Sequence, residues 1–103
     1  MSSYAQIELK ILQWSEARKI IPNSTPNVQL LKAMSEMGEL SDATIKNDKE
    51  AVVDAVGDVM VCLINYCALQ DINLVDCMEV AYDQIKNRKG TLLPNGLFVK
   101  DGV

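Results

Sequence analysis

Carboxylates crowd the middle of this sequence, and their spacing decides what they can do. From Lys32 to Asn65 the chain reads K-A-M-S-E-M-G-E-L, a short polar break, then E-A-V-V-D-A-V-G-D-V-M-V-C-L-I-N. Residues three or four apart share one face of a helix. Glu36 and Glu39 therefore stand side by side, with Lys32 one turn earlier on the same stripe. In the following segment Glu50, Asp54 and Asp58 climb one face at spacing four, and Asn65 lies two turns further along it. Like charges held close repel unless a cation sits between them. An all-oxygen donor set suits Mg²⁺, Mn²⁺ or Ca²⁺ rather than Zn²⁺.

The elements that must position these acids follow from periodicity. A first amphipathic helix spans about Ser3 to Lys19, with Ile7, Ile11 and Trp14 on its apolar side. Trp14 reads either as a packing residue or as a wall that stacks on a planar ring. Pro22, Asn23 and Ser24 break the pattern, and Thr25 followed by Pro26 marks an N-cap with proline at the first helical position. The second helix runs from Pro26 to about Ile45, with Leu30, Leu31, Met34, Met37 and Leu40 as its expected apolar side. Gly38 on this helix and Gly57 on the next are expected to mark close approach of a helix or ligand.

Asp48 caps the third helix, Lys49 to about Leu69, which is apolar nearly all round and should be central. Asn73 caps a fourth, Leu74 to about Asn87, with Leu74, Met78, Ala81, Tyr82 and Ile85 facing inward and Gly90 as its stop. Pro94-Asn95-Gly96 then turns between two short apolar runs, a signal for a small hairpin. The expected fold is all-α, four principal helices with a short extended C-terminal tail, forming one domain over residues 1–103.

Composition removes several classes. The chain has no histidine, so a histidine base and a Glu-x-x-His di-iron bundle are both excluded. Cys62, Cys67 and Cys77 form no CxxC pair, which speaks against structural zinc and a disulfide scaffold; all three are expected in helix cores. The net charge is -4, and basic residues gather only at Lys86, Arg88 and Lys89, so duplex nucleic acid is not an expected partner. No G-x-x-x-x-G-K-[ST] loop occurs. No leader and no apolar segment of membrane-spanning length is recognised, so the expected location is cytoplasmic.

Acidic stripes on helices are ordinarily solvated surface. Asp54 and Asp58 differ, because apolar residues occupy most other sides of their helix. The chemistry left open is metal-assisted hydrolysis by carboxylates alone, acting on a di- or triphosphate.

The residues E36-M-G-E39-L, then D54-A-V-G-D58-V after a short spacer, resemble the motif of the MazG-like all-α nucleoside triphosphate pyrophosphohydrolases. That motif is E-x-x-E followed by E-x-x-D. The likeness runs from Trp14 through I85-K-N-R-K-G90 to G96-L-F-V-K100 and is closest to short phage or bacterial members. It implies Mg²⁺-dependent hydrolysis of a nucleoside triphosphate to monophosphate and pyrophosphate, in nucleotide-pool house-cleaning. It also implies a homodimer or homotetramer whose pockets draw on more than one chain.

Glu36 and Glu39 match the first pair and Asp58 the final aspartate, as catalytic and metal-binding residues. The chain departs at the third acid, where Ala55 stands; Asp54 stays on the face of Asp58 and is the expected replacement, with Glu50 a second candidate. Trp14, Lys32, Asn65, Lys86, Arg88 and Lys89 are the substrate-binding candidates, the cations alternatively being solvated helix-end charges. A non-catalytic helical oligomerisation or nucleotide-binding module with a relic acidic cluster is the alternative.

Overall fold

The computed structural model describes residues 2–102. Five helices follow in order: α1 (Tyr4–Ala17), α2 (Ile20–Asn23), α3 (Pro26–Ile45), α4 (Lys49–Leu69) and α5 (Leu74–Ile85). Two short strands close the chain, β1 (Gly90–Leu92) and β2 (Phe98–Lys100). The fold is all-α, and the stretch read as a plain break holds α2, a short turn kinked at Ile21 (φ -102°, ψ 124°).

The helix starts are set locally. The Ser3 hydroxyl accepts from the Gln6 amide while the Gln6 side chain accepts from the Ser3 amide, a reciprocal capping box. Thr25, Asp48 and Asn73 accept from the amides of Val28, Ala51 and Asp76 respectively. Each satisfies an amide that the first turn leaves without a helical partner. Asn47, with φ 55°, makes the reversal between α3 and α4. So short a connection lays the two helices antiparallel, as the central pair.

α4 is the hub, since α1, α2, α3 and α5 all touch it. What it buries differs from the expected apolar faces. The buried apolar positions among the described residues are Ala33, Ala43, Ala55, Cys62, Ile64 and Cys67. Leu30, Leu31, Met34 and Met37 on α3 remain exposed, as do Ile7 on α1 and Met78, Tyr82 and Ile85 on α5. Small residues supply three of these six positions, and the larger side chains of α3 stay on its outer faces. Cys77 is exposed too, unlike Cys62 and Cys67.

The chain is correspondingly open. Its Cα radius of gyration is 16.4 Å, against about 13 Å for a compact domain of this length. Its surface of 7904 Å² is about 2,100 Å² more than a compact monomer of this size exposes.

Two further expectations are corrected. α4 is long and apolar enough to cross a membrane by length and composition. Its acids stand in its N-terminal half and leave residues 59–69 without charge; a core helix meets the same criterion. Gly90 does not stop α5, which ends at Ile85. It sits instead in β1, where a Cβ would run into the Val99 carbonyl and the Phe98 ring. The hairpin itself forms as expected, with Gly90 facing Lys100 and Leu92 facing Phe98, and Gly96 at φ 91° in the turn. Gly38 and Gly57 have no neighbour near their missing Cβ within the chain, so neither marks an intrachain close approach.

A carboxylate groove between α3 and α4

Capping by Thr25 and Asp48 sets the helical phase that brings the acids of α3 and α4 toward one another. Glu36 is the innermost, its side chain only 9% exposed. One of its oxygens, Oε1, receives the Lys32 Nζ at 3.2 Å from one turn earlier. The other, Oε2, is buried with no hydrogen-bond partner. A buried carboxylate oxygen without a donor is costly unless something else supplies positive charge.

The surrounding charges show how tightly the acids are grouped. The neighbouring Glu36 carboxylate, above all, pushes the Glu39 pKa above its ordinary value. Asp58 is half-buried; loss of water, then the charges of Asp54 and Glu36, raise its pKa as well. Lys32 is held protonated by its hydrogen bond to Glu36. The Cys62 thiol lies beneath the cluster, its pKa raised first by burial and then by Glu36. Glu36 is the charge common to these shifts, and Lys32 partly offsets each of them.

The donor chemistry fits a hard divalent cation: oxygens only, an orphaned buried oxygen, and mutual repulsion for a cation to relieve. Among the described residues no group of three Asp, Glu or Cys side chains converges on one point. Glu36 is turned to Lys32 through Oε1. Glu50 is exposed in the first turn of α4.

Beside Asp58 the groove turns apolar. A cleft of about 380 Å³ is lined by Ile7, Lys10, Ile11 and Trp14 of α1 with Asp58 and Val61 of α4. It adjoins a second cleft bordered by Val53, Asp54, Gly57 and Asp58. Trp14 is half exposed, and the Arg18 guanidinium lies 5.4 Å from its ring centre. Trp14 and Asp58, 44 residues apart in sequence, thus share one cleft. Lys10 and Arg18 were missed as site candidates, although their spacing of four on either side of Trp14 was a readable signal.

Other candidates lie elsewhere. Asn65 is 3% exposed and accepts a hydrogen bond from the fully buried Ser15 hydroxyl at 2.7 Å. That bond ties α1 to α4 and turns Asn65 into the interior. Lys86 pairs with Asp83 at 3.2 Å on α5. Arg88 and Lys89 line a separate open cleft with Lys100 and Asp101.

Residues 17–84 match the family model described as phosphoribosyl-ATP pyrophosphohydrolase. The match takes in α3, α4 and nearly all of α5, and it leaves out Trp14 and the hairpin. The chain is also similar to an uncharacterized 18.2 kDa protein from the rep-hol intergenic region of Haemophilus phage HP1. Identity is 36% over 64 residues, which is 62% of this chain and 39% of the phage protein. The chain therefore spans about two fifths of the length of that relative. No solved structure matches it.

Proposed function

The chain belongs to the phosphoribosyl-ATP pyrophosphohydrolase family, and from that membership and the acidic groove we propose a Mg²⁺-dependent nucleotide pyrophosphohydrolase of MazG-like type. The reaction is hydrolysis of a nucleoside triphosphate, or a derivative of one, to the monophosphate and pyrophosphate, in nucleotide-pool house-cleaning. The observation that carries this reading is the buried, unpartnered Oε2 of Glu36 beside Glu39 and Asp58.

Glu36, Glu39, Asp54 and Asp58 would hold Mg²⁺, with Mn²⁺ as a substitute. Bound there, the ion would neutralise phosphate oxygens and make the phosphorus more electrophilic. Glu39, exposed and raised in pKa by Glu36, is suited to orient the attacking water and take its proton. Lys32, on the same helical face, supplies a fixed positive charge toward the phosphate chain. The Trp14 cleft next to Asp58 receives the base by stacking. Lys10 and Arg18 flank that cleft and favour an anionic ligand. Arg88 and Lys89, which line a separate cleft, would meet phosphates from a neighbouring copy.

A homodimer or homotetramer is part of the proposal. The excess surface is of the order buried in obligate assemblies, ~2,000 Å² and above. The exposed Leu30, Leu31, Met34 and Met37 of α3 would be covered there. A cytoplasmic location belongs to the same reading.

The second reading is a non-catalytic helical or nucleotide-binding module. It draws on Ala55 standing where the family resemblance expects glutamate, and on the absence of three converged ligands among the described residues. A panel of nucleoside triphosphates assayed for pyrophosphate with Mg²⁺ and Mn²⁺ separates the two. Metal-dependent release from any of them supports the enzyme; binding without release supports the module.

A further inference from the structure

The walls of the Trp14 cleft decide which rings it can read. Ile7, Lys10, Ile11 and Trp14 recur at spacings of three and four and so share one face of α1, with Asp58 and Val61 supplied by α4. All six lie inside helices. Backbone amides and carbonyls there are spent on the helices themselves, so recognition falls to side chains. Ile7, Ile11 and Val61 carry no polar atom, and Trp14 and Lys10 offer N–H donors alone. The acceptor among these side chains is Asp58, which belongs to the proposed Mg²⁺ site. Lys10 is exposed and, among the described residues, has no ion-pair partner. Its ammonium is free to serve a ligand.

We propose that Lys10 determines specificity, making the cleft select oxo bases, with a carbonyl oxygen at purine C6 or pyrimidine C4, over their amino counterparts. This selection rests on the base-binding role proposed for the Trp14 cleft. With the ring stacked on the indole, the Lys10 ammonium on its flexible stem donates to that carbonyl oxygen. An exocyclic amino group in the same place meets a donor instead of an acceptor. It gives up its hydrogen bond to water without replacement.

Lys32, on α3 beside Glu36, is the cation placed among the acids where a metal-bound phosphate chain would run. Lys10 stands apart from it on α1, with the ring-binding side chain Trp14 one turn further along. One contact in an open cleft sets the discrimination, so its scale is about tenfold, the effect of a single hydrogen bond gained or lost.

The test uses the whole chain and the fluorescence of Trp14, the single tryptophan in the sequence, which reports occupancy of this cleft. Inosine is titrated against adenosine, and uridine against cytidine, as nucleosides without metal. With no phosphate present, a phosphate contact of Lys10 cannot produce the difference. Inosine and uridine should each bind about tenfold more tightly than their amino counterparts. Lys10→Met keeps the stem and removes the donors; it should melt with the parent and bring both affinity ratios close to unity. Lys10→Arg, which restores a donor, should restore the preference. Equal affinities within each pair in the parent, a preference that survives in Lys10→Met, or no nucleoside changing Trp14 fluorescence would each overturn the proposal. Pyrophosphate release decides the hydrolase reading separately. A preference without release would sink that reading and leave the Lys10 assignment standing; release with equal affinities would do the opposite.

Discussion

Lys32 Nζ holds one oxygen of Glu36 at 3.2 Å while the other oxygen of the same carboxylate has no donor. The pair is therefore half made. On an exposed helix face an i, i+4 ion pair contributes a few tenths of a kcal/mol. Here one partner is buried and faces further acids on α4, so the lysine leaves most of the negative charge uncompensated.

That charge makes the metal-free fold pH-dependent in a defined direction. Glu39 and Asp58 have folded pKa values above their ordinary 4.5 and 3.8. Between those values and the raised ones the folded chain binds more protons than the unfolded chain, so their contribution to stability falls as pH rises. Melting temperature without metal should accordingly gain from these two groups on moving from neutral pH toward pH 4.5. Asp58→Asn should raise the metal-free melting temperature at pH 7 by a few degrees and flatten this dependence. Saturating Mg²⁺ should do the same for the parent; at one hundred times its Kd, binding adds about 2.7 kcal/mol. Thermal melts across pH with and without Mg²⁺ check all three.

Ala55 and Asp54 separate cleanly. Ala55 is 4% exposed, so Ala55→Glu forces an unpaired carboxylate into a helix contact. It should destabilise the fold by ~3 kcal/mol or more. Asp54 is exposed, and Asp54→Asn should leave the urea midpoint near that of the parent. Its turnover should fall as far as that of Asp58→Asn, by ~10²-fold. Denaturant unfolding and steady-state kinetics on the three variants check this.

Trp14 is half exposed. Trp14→Ala should raise KM for a nucleotide about tenfold, roughly 1.4 kcal/mol of lost contact, with kcat within a few-fold. Equal losses for a substrate lacking the base would place the base elsewhere.

Ser15 and Asn65 are structural by geometry, and Ser15→Ala should show it. The Asn65 Oδ1 loses its donor in a site closed to water. A loss of ~1–3 kcal/mol is expected in equilibrium unfolding, with the metal affinity of the folded chain unchanged.

What the sequence made legible was local. Thr25-Pro26, Asp48 and Asn73 each bond an amide three residues on, so their caps depend on nothing distant. The pairing of Glu36 with Glu39, and of Asp54 with Asp58, follows from helical repeat alone. The buried faces were not legible, because the positions buried on α3 and α4 include the small Ala33, Ala43 and Ala55, while Leu30, Leu31, Met34 and Met37 stay exposed. Hydrophobic periodicity finds an apolar stripe but not which partner covers it. Nor was the Asn65 role readable: its spacing put it on the acidic face, and its partner Ser15 lies 50 residues away.

The most direct measurement is pyrophosphate release from a nucleoside triphosphate as Mg²⁺ is titrated, comparing the parent with Glu36→Gln. The amide keeps the volume of the side chain but removes the buried negative charge. The parent should release pyrophosphate in a Mg²⁺-saturable manner, and the variant should remain folded with turnover reduced by ~10²-fold or more. Equal, Mg²⁺-saturable turnover in both proteins would contradict the assignment of Glu36 to the metal site.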